Sequence, residues 1–195
     1  MHAPEDVSAS SLGRIATRRI TDSSSEANPV ESLLARSRTY APGDTDFAWT
    51  RLTLWRAQLA AALDQPPYEP VTDIEVSGAS DSPSTLLLAA WLRNQLKVPV
   101  KYGSRSRANG SSGIHGVILT RESGPIELVR DIPNVATLSE PNQPTHTLAL
   151  PRRNLRDCLA EELRRLDPDV LYGEVITQGL VEMLETDDTR VSDAS

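Results

Sequence analysis

An apolar helix between two short strands constrains the fold of this chain most. Residues 71–77 alternate apolar and polar side chains, which is typical of a strand with one buried face. Ser82-Pro83 then marks a helix start, and residues 86–92 are apolar on nearly all sides, which predicts a buried helix. A second short strand is predicted at 98–102. This order favours a parallel strand pair with a right-handed crossover.

Four short apolar segments follow at a close spacing. They lie at 114–120, 126–129, 135–138 and 145–150, and Gly, Pro or Asn separates them. Because connections this brief cannot hold a crossover helix, the segments predict an antiparallel meander. The predicted fold class is therefore α/β with a mixed sheet: a βαβ unit followed by an antiparallel meander, packed by N- and C-terminal helices.

Two helices are predicted before the sheet. Asn28-Pro29-Val30-Glu31 combines a cap, a proline at the first helical position and a glutamate at the third, the pattern of a helix start. A second helix is predicted to begin at Asp44 or Thr45 and to end at Gln65-Pro66-Pro67.

Two amphipathic helices are predicted near the C-terminal end. They begin at Asn154 and at Asp167-Pro168, and because the link between them is short, they should pack as a pair. The apolar stripe of the first comprises Leu155, Cys158, Leu159, Leu163 and Leu166. One face of the second comprises Tyr172, Val175, Ile176, Gly179, Leu180 and Met183.

Composition predicts one domain with polar ends. Residues 1–27 contain too few apolar anchors to offset the entropy of ordering them, so we expect a flexible arm or linker there. Within this arm, the charged segment 18–22 is expected to dock on a partner or on the domain itself. An α/β domain is predicted over 28–185, and a disordered tail over 186–195.

Charge and hydropathy exclude several classes of function. The formal net charge of -7 disfavours nucleic acid as a partner. No apolar run approaches the roughly 20 residues that a membrane-spanning helix needs, and the N-terminus has no secretory signal pattern. We therefore expect a cytoplasmic protein with no membrane partner.

The sequence lacks the spacing of familiar catalytic and metal sites. His2, His115 and His146 show no metal-ligand spacing, although the last two fall in strands predicted to be adjacent and could meet across the sheet. The glycine-rich loop 103–113 leads into a strand, so no helix N-terminus faces an anion there; Arg105 and Arg107 could still hold phosphate. A non-enzyme without a metal or cofactor is predicted.

Cys158 is the single cysteine of the chain. It lies on the apolar stripe of its predicted helix with no neighbouring histidine, which favours a buried free thiol. A redox-responsive thiol is the alternative, and its partner would have to come from another chain or a small thiol.

Residues 40–56, here called the 40–56 segment, concentrate aromatic and arginine side chains. Trp49 and Trp55 lie about 120° apart around an ideal helix, so one of them could line a surface. Trp and Arg are common in binding hot spots, whereas a wide core face with arginines passing over it explains the pattern equally well. Asp44 and Asp46 either cap the helix or form an acid-base pair, and capping is favoured.

Several motifs carry a resemblance to a known family. Residues 18–22 read Arg-Arg-Ile-Thr-Asp, and the 40–56 segment fits Tyr-x-Pro-Gly-Asp-Thr-Asp-x-Ala-Trp-Thr-Arg-Leu-Thr-x-Trp-Arg. The match continues through Ser82-Pro83 with its Leu-Ala-Ala-Trp-Leu helix, Ala136-Thr137-Leu138-Ser139, Leu150-Pro151-Arg152-Arg153 and 158–168. From Leu12 to about Tyr172, the chain resembles the bacterial glucose-6-phosphate dehydrogenase assembly (OpcA) family.

The resemblance implies a binding protein rather than an enzyme. It implies an allosteric activator that binds glucose-6-phosphate dehydrogenase, promotes its active oligomer and so supports NADPH supply by the pentose phosphate pathway. Family members usually have a further N-terminal region, so we expect this chain to correspond to their C-terminal region. In some relatives cysteines make activation redox-sensitive, and only Cys158 can have that role here. The expected partner-binding residues are Arg18, Arg19, Asp44, Asp46, Trp49, Arg51, Trp55 and Arg56.

A sugar-phosphate or nucleotide-binding α/β domain, a degenerate enzyme, is the alternative function. In that case the phosphate would be held by arginines of the 40–56 segment or of the glycine-rich loop, namely Arg51, Arg56, Arg105 or Arg107.

Overall fold

A computed structural model describes residues 6–103 and 113–184 and has a mixed α/β fold. The strands are β1 (Arg19–Thr21), β2 (Asp44–Asp46), β3 (Asp73–Gly78), β4 (Val100–Tyr102), β5 (Ile114–Arg121), β6 (Gly124–Ile132), β7 (Val135–Ser139) and β8 (His146–Ala149). The α-helices are α1 (Pro29–Thr39), α2 (Phe47–Thr50), α3 (Thr53–Leu63), α4 (Pro83–Leu96), α5 (Leu155–Glu162) and α6 (Val170–Glu174). A π-helical segment (Val175–Gly179) continues α6.

The main sheet confirms the predicted fold class. Its six strands lie in the order β4-β3-β5-β6-β7-β8. Strand β3 is parallel to β4 and antiparallel to β5, and the remaining neighbours are antiparallel. The βαβ unit β3-α4-β4 is therefore followed by the predicted meander.

Helix α4 forms the centre of the core. Ser82 caps it, Pro83 occupies the first turn, and Lys97 ends it in the left-handed conformation at φ 56°. The helix is buried around most of its circumference, as predicted, because it contacts β3 and β4, the short helix α2 and the π-helical segment. Gly179 permits the last contact, since an added Cβ would lie 2.8 Å from the carbonyl oxygen of Ala90.

The predicted helix from Asp44 or Thr45 to Gln65 is wrong in its first part. Residues 44–46 instead form β2, which pairs in parallel with β1. Helix α2 begins after Asp46, whose side chain accepts a hydrogen bond from the amide of Ala48, and a break separates α2 from α3. The carboxylate at 46, rather than that at 44, therefore caps the helix.

The two C-terminal helices differ in how far they match the prediction. The predicted face of the last helix is buried, from Tyr172 to Met183. The predicted stripe of α5 is not: Cys158 is buried, whereas its four leucines are exposed. Helix α5 also packs on α2 and not mainly on the helix that follows it, so the predicted pair is wrong. No helix of the described residues is long and apolar enough to span a membrane.

Candidate partner-binding site

The charged segment 18–22 docks on the chain's own 40–56 segment. Strand β1 pairs with β2, and the Arg19 guanidinium bonds the carboxylate of Asp44. Arg19 also donates to the carbonyl oxygens of Ala16 at 2.9 Å and Pro42 at 2.7 Å. Of the two docking targets expected from the sequence, the domain itself is the one observed.

Asp46 is a buried anchor of this junction. Its carboxylate accepts hydrogen bonds from the Ala48 amide at 2.8 Å, the Thr21 hydroxyl at 2.7 Å and both the amide and the hydroxyl of Ser23 at 2.9 and 2.7 Å. The second carboxylate, Asp44, accepts from the amide of Ala41 at 2.8 Å and thereby closes the preceding turn. Asp46 therefore has the capping role that the sequence favoured, whereas Asp44 stabilises the turn before β2 instead.

Arg51 faces the same N-terminal segment. Its guanidinium donates two hydrogen bonds to the Asp22 carboxylate, at 2.7 and 2.9 Å. This pairing raises the pKa of Arg51 above its ordinary value. Bidentate geometry fixes both partners in orientation, so the pair ties residue 22 to the end of α2.

Trp49 is fully buried and carries a second cluster of contacts. Its indole Nε1 donates to Asp169 at 2.9 Å, and its ring lies 5.8 Å from that of Tyr172. The Arg56 guanidinium stacks 3.7 Å from the centre of the indole ring. Burial lowers the pKa of Arg56 to about 10, so this side chain remains charged at neutral pH.

Trp55 is also a core residue, with only 3% of its surface exposed. The Arg130 guanidinium lies 5.3 Å from the centre of its ring. Because Trp49 is 0% exposed, both tryptophans fit the wide core face, the second of the two interpretations left open by the sequence. Direct contact of either with a partner stays a prediction.

Helix α5 is held by polar contacts rather than by its leucines. Glu162 is buried, bonds Arg18 at 2.7 Å and accepts from the Thr50 hydroxyl at 2.7 Å. Glu161 accepts from the Thr53 hydroxyl at 2.8 Å and pairs with Arg153. The attachment of α5 to the 40–56 segment thus runs through two glutamates of the helix and two threonine hydroxyls of the segment.

Beside the buried side of α5 lies an exposed apolar surface, here called the leucine face: Leu155, Leu159 and Leu163. These side chains are 56%, 41% and 67% exposed. At about 100° per residue they lie within an arc of roughly 80° on one side of the helix. Arg156 and Arg164 are exposed beside them. An apolar strip with arginines at its edge is typical of a surface that binds another protein.

The other candidate groups are not brought together. His115 lies on β5 and His146 on β8, with β6 and β7 between them, so the two do not meet across the sheet. His2, Arg105 and Arg107 lie outside the described residues. Burial raises the pKa of the Cys158 thiol, which disfavours the reactive thiolate. No group of three possible metal ligands occurs within 6–103 and 113–184.

Sequence reasoning missed the leucine face, although a signal was present. Glu162 lies one helical turn after Cys158, so the side of α5 that buries the cysteine must also bury a carboxylate. Around an ideal helix the three leucines lie roughly 20°, 60° and 100° to one side of Glu162, so a helix that buries this glutamate turns them toward the rim of the contact and the solvent. The Thr50 hydroxyl and Arg18, which bond Glu162, are the groups that fix this orientation.

Together these features define an α/β domain whose charged residues mostly serve its own structure and whose α5 presents an apolar surface. A family model matches residues 42–176, and it describes the C-terminal domain of the glucose-6-phosphate dehydrogenase subunit. The chain therefore belongs to this family, which confirms the resemblance found in the motifs and associates it with glucose-6-phosphate dehydrogenase. A comparison with curated proteins found no match.

Proposed function

We propose that this chain is a non-catalytic partner of glucose-6-phosphate dehydrogenase that promotes the enzyme's active oligomer in the cytoplasm of a bacterium. In that role it supports NADPH supply by the pentose phosphate pathway. The observation that carries the proposal is the leucine face of α5, held outward on the 40–56 segment. Family membership supports this choice of partner.

The leucine face offers binding free energy to a protein. Burying a leucine that is about half exposed contributes on the order of 1 kcal/mol. Three such residues on one short helix can therefore anchor a complex, provided that the partner presents a complementary apolar surface. Arg156 and Arg164 favour a partner surface with acidic groups around that apolar centre.

The eight partner-binding residues expected from the sequence enter this proposal mainly as a support for α5. Arg18 bonds Glu162 directly, and Arg19, Asp44 and Asp46 hold in place strand β1, which begins directly after Arg18. Trp49 and Arg56 connect the 40–56 segment to the last helix. Arg51 and Trp55 lie on another side of the segment, where both line one cavity. Contact of any of the eight with the dehydrogenase stays a prediction.

A binding protein of this kind acts through equilibrium. If it binds the active oligomer of the dehydrogenase more tightly than the other states, it raises the population of that oligomer in proportion to its differential affinity. The dehydrogenase then gains activity without any reaction catalysed by this chain. The use of the conspicuous arginines and aspartates in internal bonds supports a role without catalysis.

Co-elution tests the proposal. The dehydrogenase from the same organism is mixed with this chain and separated by size exclusion, and dehydrogenase activity is measured across the column. We expect a joint peak, a larger dehydrogenase oligomer and raised activity, whereas the chain alone should show no dehydrogenase activity. Separate elution with unchanged activity contradicts the proposal.

The matched control uses two exposed apolar sites. Leu155→Gln with Leu159→Gln removes apolar surface from the leucine face, and Tyr68→Gln does so on the exposed loop between α3 and β3. We expect the double variant to lose co-elution and the Tyr68 variant to keep it. Equal behaviour of the two variants would place the contact elsewhere on the chain.

A further inference from the structure

A cavity of about 630 Å³ lies between the start of α4, the start of β5 and the residues before α5. It does not include the leucine face. Its wall carries polar and aromatic groups from several elements, among them Arg51, Trp55, Ser84, Arg130, Arg152 and Arg153. This volume lies within the range of roughly 300–1,000 Å³ that is usual for sites that bind small molecules.

The charges around the cavity are mainly positive. Four arginines line it, and Asp81 is the one carboxylate among its lining residues in the described part of the chain. Two of these arginines have carboxylate partners behind the wall, since Arg51 bonds Asp22 and Arg153 bonds Glu161. Arginine side chains therefore make up most of the charged lining of the cavity.

Arg130 differs from the paired arginines. Its guanidinium donates to the carbonyl oxygens of Ile114 at 2.8 Å and Leu150 at 3.4 Å and lies over the Trp55 ring. Within residues 6–103 and 113–184 it forms no ion pair, although half-buried arginines normally have one. Burial, with a smaller contribution from the positive charge of Arg152, lowers the pKa of Arg130 to about 10.

This arrangement is unfavourable without a counter-ion. The charge of Arg130, which is partly buried and forms no ion pair within the described residues, is stabilised by an anion placed in the cavity. The N-terminus of α4 adds to this preference through the helix dipole, because Ser84 lies in its first turn and lines the cavity. A phosphate group, with its several acceptor oxygens, matches both features.

We propose that the cavity binds a small phosphorylated metabolite. Arg130 and Arg152 hold the phosphate group, and Trp55 with the neighbouring prolines Pro29, Pro83 and Pro151 contacts the rest of the molecule. Of the arginines that the sequence offered for holding phosphate, Arg51 lines the cavity, whereas Arg56 stacks on Trp49 and does not. The proposal stands independently of dehydrogenase binding, since none of its residues belongs to the leucine face.

Calorimetric titration of the isolated chain tests this site. Inorganic phosphate, glucose 6-phosphate and ADP are titrated separately at constant ionic strength. We expect one of the two metabolites to bind with a Kd below about 1 mM and to bind more tightly than inorganic phosphate. Preference for glucose 6-phosphate identifies a sugar-phosphate site, and preference for ADP a nucleotide site.

Arginine variants locate the bound phosphate. Arg152→Gln, at an exposed position, should weaken binding by about tenfold, and Arg130→Gln should weaken it further. Arg164→Gln, on the exposed side after α5, is the charge-matched control and should leave binding unchanged. Because Arg130 also bonds two carbonyls, thermal unfolding of its variant is measured in parallel.

Three results would overturn the proposal. The first is the absence of binding heat and of any shift in Tm with all three compounds at millimolar concentration. The second is binding that Arg152→Gln and Arg164→Gln weaken equally, which indicates a general charge effect. The third is inorganic phosphate binding as tightly as both metabolites, which indicates that the cavity does not recognise the rest of a metabolite.

Discussion

The 40–56 segment and helix α5 both concentrate side chains that are common in protein interfaces, but the fold uses them in opposite ways. The segment places Trp49 and Trp55 inside the domain and engages its arginines in internal pairs. Helix α5 turns its glutamates inward to that segment and its leucines outward. Residue type alone therefore does not identify a contact surface, because the polar attachment of a helix can decide which of its sides remains exposed.

The largest effect on stability is expected for a substitution in the buried 40–56 segment. Trp49→Ala removes a fully buried ring together with its hydrogen bond to Asp169 and its stacking with Arg56. We expect a loss of about 4 kcal/mol in the free energy of unfolding, measured by urea denaturation. A loss below about 1 kcal/mol would mean that Trp49 is not part of the core.

Asp169 provides a pH-dependent version of the same test. Burial acts to raise its pKa, but hydrogen bonds from the Tyr172 amide and the Trp49 indole, together with nearby arginines, lower the pKa overall. Stability from a carboxylate with a lowered pKa is complete above its usual pKa of about 4 and is lost on further acidification. Asp169→Asn should therefore cost roughly 2 kcal/mol at pH 7 and much less at about pH 3. Equal costs at both pH values would contradict this role.

Cys158 should react slowly in the folded chain. It is buried, and the raised pKa of its thiol reduces the thiolate fraction. We expect alkylation by iodoacetamide to be at least about tenfold slower than in denaturant at the same pH. Cys158→Ser is the control and should show no reaction. Equal rates in the two conditions would favour the redox-responsive role.

The smallest effect on stability is expected at the leucine face. Leu155→Gln with Leu159→Gln replaces exposed leucines by residues of similar helix propensity. The free energy of unfolding should change by less than about 0.5 kcal/mol, as measured by urea denaturation. A large loss would show that these leucines belong to the folding core and would remove the contrast with Trp49.

Much of the fold was predictable from local patterns. The alternation at 71–77 and the short spacing of the later strands predicted the mixed sheet, and Ser82-Pro83 marked the start of α4. Strand β1 was missed because only Ile20 among its three residues is apolar, and side chains such as Arg19 hold it in place. Such pairings depend on residues about 25 positions away and leave no local pattern.

The candidate sites were less predictable for a related reason. The stripe of α5 has the same period whether it faces the core or a partner, and only the contacts of Glu162 with Arg18 and Thr50 decide between these possibilities. The cavity proposed to bind phosphate is lined by Arg130 of β6 and by Arg152, which lies before α5. Two arginines that are distant in sequence and belong to no common motif cannot be assigned to one site before the fold is known.

We infer that the leucine face, and not the aromatic 40–56 segment, makes the main contact with glucose-6-phosphate dehydrogenase. The most direct measurement is the Kd for binding to the dehydrogenase. It is determined for the wild-type chain, for the variant with Leu155→Gln and Leu159→Gln, and for Tyr68→Gln, and the free energy of unfolding must be unchanged in both variants. We predict that the double variant binds at least about tenfold more weakly, while Tyr68→Gln binds like the wild type. An unchanged Kd for the stably folded double variant would contradict the account.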